Sequence, residues 1–97
     1  MKKKIYISGK ITGLTPDQAF SFFNNAELYL TEKGYEVINP ITIPHEHDKT
    51  WESYMRNDLK ALLDCDEIYM LNNWNESRGA IIEHDLANKL GLKIIYG

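Results

Sequence analysis

The chain has 97 residues, of which 43% are hydrophobic and 26% charged, and its formal net charge is −3. These values predict a single globular domain with one modest core, and they disfavour a nucleic-acid partner, which normally requires a basic patch. Since no apolar run reaches the length of a membrane span, no signal-peptide core follows the N-terminus and Cys65 is the single cysteine, we expect a cytoplasmic protein without membrane contacts or disulfides.

Strand and helix patterns alternate along the chain. The predicted strands lie at residues 5–8, 35–38, 67–71 and 92–96. Predicted helices lie at residues 16–33, 51–63 and 79–90, with Thr50 as the N-cap of the second. The loop at residues 39–49 is long enough to suggest a role beyond connection.

Strands joined by helical crossovers predict a parallel sheet with helices on both faces. We therefore expect a three-layer, flavodoxin-like (Rossmann-like) α/β fold whose four strands have the order 2-1-3-4. In this order the switch point lies between the first and third strands, where such folds bind ligands. The loops at residues 9–13 and 72–79 border this crevice.

Glu83 is the first candidate for chemistry. It lies in the early turns of the helix that leaves this edge of the sheet, on the same helical face as Ala80, Ala87 and Leu90. An acid on an otherwise apolar stripe is costly to bury unless it is used. We interpret Glu83 as a functional carboxylate.

Asp58 is the second candidate, beside the buried stripe of its helix. Cleavage of a glycosyl bond needs one ionised carboxylate at the anomeric carbon and a second group that protonates the leaving group. Glu83 and Asp58 fit these two roles if the fold brings them together. The structural alternative is that Asp58 forms a salt bridge with Arg56 or Lys60.

Residues 8–13, Ser-Gly-Lys-Ile-Thr-Gly, form a glycine-rich turn directly after the first strand. Its free amides and its Ser8, Lys10 and Thr12 side chains suit a phosphate or sugar hydroxyls, although the spacing is that of neither a Walker loop nor a dinucleotide fingerprint. A simple tight turn is the alternative. Ser77 likewise either only caps its helix or also offers its hydroxyl to an anion.

Other polar and aromatic residues carry weaker signals. The run His45-Glu46-His47-Asp48 lacks the spacing of a usual zinc site, so we predict no metal. This loop and Trp51 suit a lid or base-stacking wall, with Trp74 on the other side. Cys65 is expected to face the core at a helix end, which disfavours it as a nucleophile.

Taken together, the motifs resemble the nucleoside 2-deoxyribosyltransferase superfamily, and within it a small bacterial and phage branch. The motifs are Tyr6 to Gly13, Asn57-Asp58-Leu59, Cys65-Asp66 and Ser77-x-Gly79-Ala80-x-x-Glu83-x-x-x-Ala87. The resemblance spans nearly all of residues 1–97. It implies that Glu83 attacks the anomeric carbon, that Asp58 protonates or orients the base, and that no metal or cofactor takes part. It also implies a substrate site built from Tyr6, Ser8, Gly9, Lys10, Ile11, Gly13, Ser77 and Gly79.

One departure from the family pattern bears on the substrate. Transferases that act on free nucleosides have an aspartate six residues before the catalytic glutamate, whereas the related nucleoside 5′-monophosphate N-glycosidases have a serine, as this chain does at Ser77. Since a carboxylate would repel a phosphate, the resemblance favours hydrolysis of a nucleoside monophosphate over deoxyribosyl transfer. It also implies a homo-oligomer, a dimer or tetramer, consistent with the additional apolar residues Phe20, Phe22 and Tyr29 on the first helix.

Three other functions stay open from the sequence. The first is a non-catalytic module that binds or senses a nucleotide, which would bind without consuming its ligand. The second is a nicotinamide-dinucleotide glycohydrolase, since a glutamate at such a sheet edge can cleave that bond too. The third is a structural interaction protein, which would leave the clustering of Ser77, Gly79 and Glu83 unexplained.

Overall fold

The computed structural model describes residues 2–97. Its elements are β1 (Lys4–Ser8), α1 (Pro16–Glu32), β2 (Glu36–Ile38), α2 (Trp51–Leu63), β3 (Glu67–Met70), α3 (Arg78–Lys89) and β4 (Lys93–Tyr96). All three strand pairs are parallel, and the strand order is β2-β1-β3-β4. The predicted flavodoxin-like fold and its 2-1-3-4 order are therefore confirmed.

Each helix begins at a hydroxyl-bearing N-cap. Thr15 and Gln18 form a reciprocal capping box at α1, and Thr50 Oγ1 accepts from the Ser53 amide at α2, as predicted. Ser77 Oγ accepts from the Ala80 amide at 3.2 Å and caps α3. These bonds satisfy amides that have no intrahelical partner, and thereby define the residue at which each helix begins.

The two faces of β1 bury different side chains, because successive residues of a strand point in opposite directions. Ile5 and Ile7 pack against Phe23 and Leu30 of α1 in one core cluster. Tyr6 belongs to the cluster on the other face, with residues of α2 and α3. The face of β1 that carries Tyr6 and Ser8 is thus turned toward α3, the helix that carries Glu83.

Local details differ from the predictions. A short 3₁₀ helix, Trp74–Glu76, interrupts the loop after β3. Leu90, predicted to share the buried face of Glu83, is instead 52% exposed, because α3 ends there and Gly91 turns the chain away with φ of 76°. Among residues 2–97, no helix has the length and apolarity needed to cross a bilayer.

Candidate active site

A cavity of about 460 Å³ opens beside the C-terminal ends of β1 and β3, at the predicted switch point. This volume falls within the usual range for small-molecule sites. Seven of the ten predicted site residues line it: Tyr6, Gly9, Ile11, Asp58, Ser77, Gly79 and Glu83. The other lining residues are Thr12, Pro40, Ile41, His45, Trp51, Tyr54, Met55 and Ala80.

Glu83 is buried at the wall of this cavity, with only 5% of its surface exposed. The Tyr6 hydroxyl donates to its Oε2 at 2.8 Å, and the Ser8 hydroxyl donates to its Oε1 at 2.6 Å. Such short contacts are typical of hydroxyls that donate to an ionised carboxylate. Alternation along β1 explains the pair, because residues 6 and 8 share one face. The two bonds hold the carboxylate in one orientation.

The protonation of Glu83 is balanced between opposing effects. Burial raises its pKa to about 7, the hydrogen bonds from Ser8 and Tyr6 oppose this rise, and the nearby Asp58 charge adds to it. Burial and the Glu83 charge in turn raise the pKa of Tyr6 well above its usual range, so Tyr6 stays a donor. Near neutral pH, the ionised and the protonated forms of Glu83 are therefore both present.

Asp58 faces the same cavity but lacks such donors. Its Oδ1 is buried without a hydrogen-bond partner in the described chain, and burial raises the pKa of its carboxyl to about 7. The structural alternative, a salt bridge with Arg56 or Lys60, is wrong. Within residues 2–97 the basic nitrogen that lies near the carboxylate is His45 Nε2, at 4.0 Å.

The two acids therefore differ in which protonation state their surroundings favour. Both pKa values lie near 7, and the charge of Asp58 contributes to the rise at Glu83, so ionisation of one acid makes ionisation of the other less favourable. Glu83 receives two hydroxyl donors, which stabilise its charged form, whereas Asp58 receives none. Where the two acids share one proton, these donors favour its location on Asp58. A carboxylate and a carboxylic acid in one cavity are the groups that glycosyl cleavage requires.

The first turn of α3 forms another part of the cavity wall. Ser77 and Gly79 line it, and Gly79 lies so close to Met55 that a Cβ there would meet Sδ at 2.9 Å. The Arg78 guanidinium stacks on the Trp51 ring at 4.0 Å, which ties this turn to the start of α2. Ser77 thus caps α3, as predicted, and also lines the cavity. Its contact with an anion stays a prediction.

The glycine-rich turn contributes less than its sequence suggests. Ser8, Lys10 and Gly13 do not line the cavity. Ser8 lies behind Glu83, the Lys10 ammonium is 3.4 Å from Glu76, and the Lys10 amide donates to Asn73. A Cβ on Gly9 would meet Leu71 at 2.6 Å, so packing against that side chain requires the glycine there.

The loop between β2 and α2 supplies cavity residues that sequence reasoning did not assign to the substrate site. Pro40, Ile41 and His45 line the cavity, as Tyr54 and Met55 of α2 do. Trp51 lines the cavity too, so this loop and Trp51 form part of its wall, while stacking on a base stays a prediction. The sequence could have indicated Tyr54 as a cavity residue, because it precedes Asp58 by one helical turn. No sequence pattern indicates that Pro40 and Ile41 line the cavity.

Two other predictions concern side chains outside the cavity. Trp74 does not form a wall; it stacks on His84, with ring centroids 4.3 Å apart. Cys65 is buried at the end of α2, as expected, and burial raises the pKa of its thiol to about 12, which disfavours a thiolate nucleophile. Among residues 2–97, no group of three or more His, Cys, Asp and Glu side chains is arranged to hold a metal ion.

Comparison with known proteins places this geometry in a family. A family model described as a domain of unknown function, DUF4406, matches residues 3–96. The chain belongs to the DUF4406 family. No curated protein sequence matches this DUF4406 chain.

A solved structure has a fold similar to that of this DUF4406 protein. It is similar to a 2-deoxyribosyltransferase from the psychrotolerant bacterium Bacillus psychrosaccharolyticus, with a TM-score of 0.72 and 21% sequence identity. The match covers 96% of this chain and 70% of that chain. The sequence resemblance to the nucleoside 2-deoxyribosyltransferase superfamily is therefore confirmed at the level of the fold.

Proposed function

We propose that this protein is an N-glycosidase that cleaves the bond between base and sugar in a nucleoside 5′-monophosphate, or transfers the 2-deoxyribosyl group between bases. The main observation behind the proposal is that two acids in one cavity have different hydrogen-bond partners. Glu83 receives donors from Tyr6 and Ser8, and Asp58 has an unpartnered oxygen. The similar fold of a 2-deoxyribosyltransferase supports this chemistry.

The proposed reaction has two steps. A Glu83 oxygen attacks the anomeric carbon, the C–N bond to the base breaks, and the departing base nitrogen takes the proton of Asp58. Water then hydrolyses the glycosyl ester, and its proton returns to Asp58. In transfer, a second base replaces water. Tyr6 and Ser8 keep the Glu83 carboxylate aimed during the first step, which lowers the entropic cost of reaching the reactive geometry.

The phosphate of the substrate lies, in this proposal, at the first turn of α3. Ser77 lines the cavity, and the first amides of the helix carry a partial positive charge. The Arg78 guanidinium, held on Trp51, lies beside the same turn. A neutral hydroxyl and these positive groups suit a phosphate dianion better than a carboxylate at position 77 would.

Ser77→Asp tests this placement. Aspartate caps a helix as well as serine does, so the variant preserves the fold of α3 while it introduces a charge that repels phosphate. We expect kcat/KM to fall about 100-fold for nucleoside monophosphates, on the order of 3 kcal/mol, and to change little for free nucleosides. Ser77→Asn, a neutral cap of similar size, is the control. An equal loss on both substrate classes would contradict the placement.

The activity itself is tested by incubating the protein with a panel of ribonucleoside and deoxyribonucleoside monophosphates and following release of free base. The nicotinamide dinucleotide belongs in the panel, because its cleavage would favour a glycohydrolase. Thermal stabilisation by a monophosphate without its consumption would favour a binding or sensing module instead. No release from any member would count against the enzyme.

The remaining predictions concern the whole protein. We propose that residues 1–97 act as one deoxyribosyltransferase-like domain in the cytoplasm, with a small-molecule nucleoside or nucleotide as partner. We also propose a homo-oligomer, a dimer or tetramer, because Phe20, Phe22 and Tyr29 of α1 are each about half exposed in the single chain. Sedimentation velocity measures this assembly state, and a monomer at all concentrations would contradict it.

A further inference from the structure

Two histidines of the loop before α2 form a hydrogen-bonded pair. His45 Nδ1 and His47 Nε2 are 2.9 Å apart. The other nitrogen of each ring contacts a main-chain carbonyl: His45 Nε2 lies 2.8 Å from the Pro40 oxygen, and His47 Nδ1 lies against the Asp48 oxygen. All four ring nitrogens of the pair are therefore engaged.

The number of protons on this pair follows from its partners. A carbonyl oxygen only accepts, so His45 Nε2 and His47 Nδ1 must each carry a hydrogen. The contact between the two rings needs a third hydrogen. Two neutral imidazoles carry only two, so all three contacts can be hydrogen bonds at once only if the pair holds one additional proton.

The surroundings of the pair fit this charge. The Tyr54 ring packs against both imidazoles, with centroids 4.9 and 4.8 Å away, and contact with an aromatic ring is compatible with a cation. The Asn57 amide donates to His45 Nδ1 at 3.2 Å, which favours the shared proton on His47. Besides Asp58, three charged residues lie nearby. Glu46 lies between the two histidines in the sequence, and Asp48 follows His47 directly. The Lys49 ammonium is 2.8 Å from the His45 carbonyl and 5.6 Å from the centroid of the Tyr54 ring.

Asp58 faces this pair across a short gap. His45 Nε2 is 4.0 Å from Asp58 Oδ1, the same oxygen that has no hydrogen-bond partner. Asp58 is 8% exposed, so little water reaches it. A positive charge at this distance acts strongly on a carboxylate that water does not screen.

We propose that the His45–His47 pair carries one shared proton, and that its positive charge stabilises the Asp58 carboxylate that forms when the leaving base takes the Asp58 proton. The inference rests on the proposed function and adds two residues to it. The pair itself forms or breaks no bond to the substrate. His45 and His47 act through Asp58, so they are positioning residues.

A leaving-group comparison tests this role. His47→Gln removes the additional proton, and position 47 does not line the cavity. We expect the variant to cleave a natural nucleoside monophosphate about 10-fold to 100-fold more slowly. For the 4-nitrophenyl glycoside of the same sugar phosphate, the cleavage rate should fall by less than about threefold, because that leaving group needs no proton. Asp58→Asn should show the same pattern, and the double variant should lose little more.

Two further variants separate this role from a structural one. His45→Gln should reproduce the pattern of His47→Gln. His84→Gln changes a histidine that stacks on Trp74 outside the cavity and should change neither rate. If His47→Gln slows both substrates equally, the proposal is overturned, because loss of loop structure does not distinguish leaving groups.

Nuclear magnetic resonance tests the charge independently of turnover. In the ligand-free protein at neutral pH, ¹⁵N shifts should show one additional proton across His45 and His47, with His84→Gln used for assignment. The Asp58 ¹³C carboxyl signal should show less carboxylate in His47→Gln than in the wild type. Two neutral rings, or an unchanged Asp58 signal, would overturn the proposal. If the wild type cleaves no monophosphate, the proposed function fails, yet these spectra still decide whether the pair stabilises the carboxylate.

Discussion

Glu83→Gln is expected to reduce base release from nucleoside monophosphates at least about a thousandfold, because the amide is a far weaker nucleophile than the carboxylate at the anomeric carbon. The substitution keeps the size of the side chain and leaves atoms that can hydrogen-bond with Tyr6 and Ser8. Binding of the substrate should therefore survive. Initial rates of base release, measured with wild type and variant at equal concentration, check the loss of kcat.

The chain provides a matched control in Glu67. This residue is also 5% exposed and also accepts a tyrosine hydroxyl, from Tyr35 at 2.7 Å, but it begins β3 at the end of the sheet remote from the cavity. Glu67→Gln should keep most of the activity. If both variants lose activity to the same extent, the loss reflects damage to the fold, and the assignment of Glu83 as nucleophile is not supported.

Removal of the buried acids is expected to stabilise the protein at alkaline pH. The folded state raises the pKa of Glu83 from 4.5 and that of Asp58 from 3.8, each to about 7. Between these values the folded chain holds protons that the unfolded chain has released. The free energy of unfolding therefore falls as pH rises through about 7, and is highest, for these two groups, below about pH 4.

Glu83→Gln and Asp58→Asn have no such titration at these positions. At pH 8 we expect each variant to be more stable than the wild type by about 1–3 kcal/mol, because the cost of an ionised, poorly solvated carboxylate is absent. Below about pH 4 the advantage should disappear. Urea unfolding at both pH values measures it. Variants that are less stable than the wild type at pH 8 would show that ionised Glu83 and Asp58 do not destabilise the folded protein.

The regular part of the fold was predictable from the sequence because its signals are periodic. Alternation in residues 5–8 and the helical stripes gave the element order, and the crossover rule gave the strand order. The position of Glu83 followed from the same reasoning, since Ala80 and Ala87 mark the buried face of α3. Boundaries differ by at most one residue, because helix and strand ends depend on local hydrogen bonds.

The details of the site were less predictable because they depend on contacts between distant segments. Tyr6 and Ser8 lie more than 70 residues from Glu83, and only their shared strand face indicates that both hydroxyls meet its carboxylate. The sequence suggested that Lys10 binds phosphate, but its ammonium lies near Glu76 in the loop after β3. His45 lies in an irregular loop, for which no period predicts which side chains face the cavity.

A trapping experiment with mass spectrometry tests the role of Glu83 as nucleophile. A nucleoside monophosphate with fluorine at the 2′ position forms the glycosyl ester but hydrolyses it slowly, because the fluorine destabilises the positive charge of the oxocarbenium-like transition state. We predict that the intact protein gains the mass of one fluorinated sugar phosphate, that peptide mapping locates it on Glu83, and that Glu83→Gln gains none. The mechanism would be contradicted if the wild type turns over natural substrate but the fluorinated sugar is found on another residue. It would also be contradicted if the wild type gains no label.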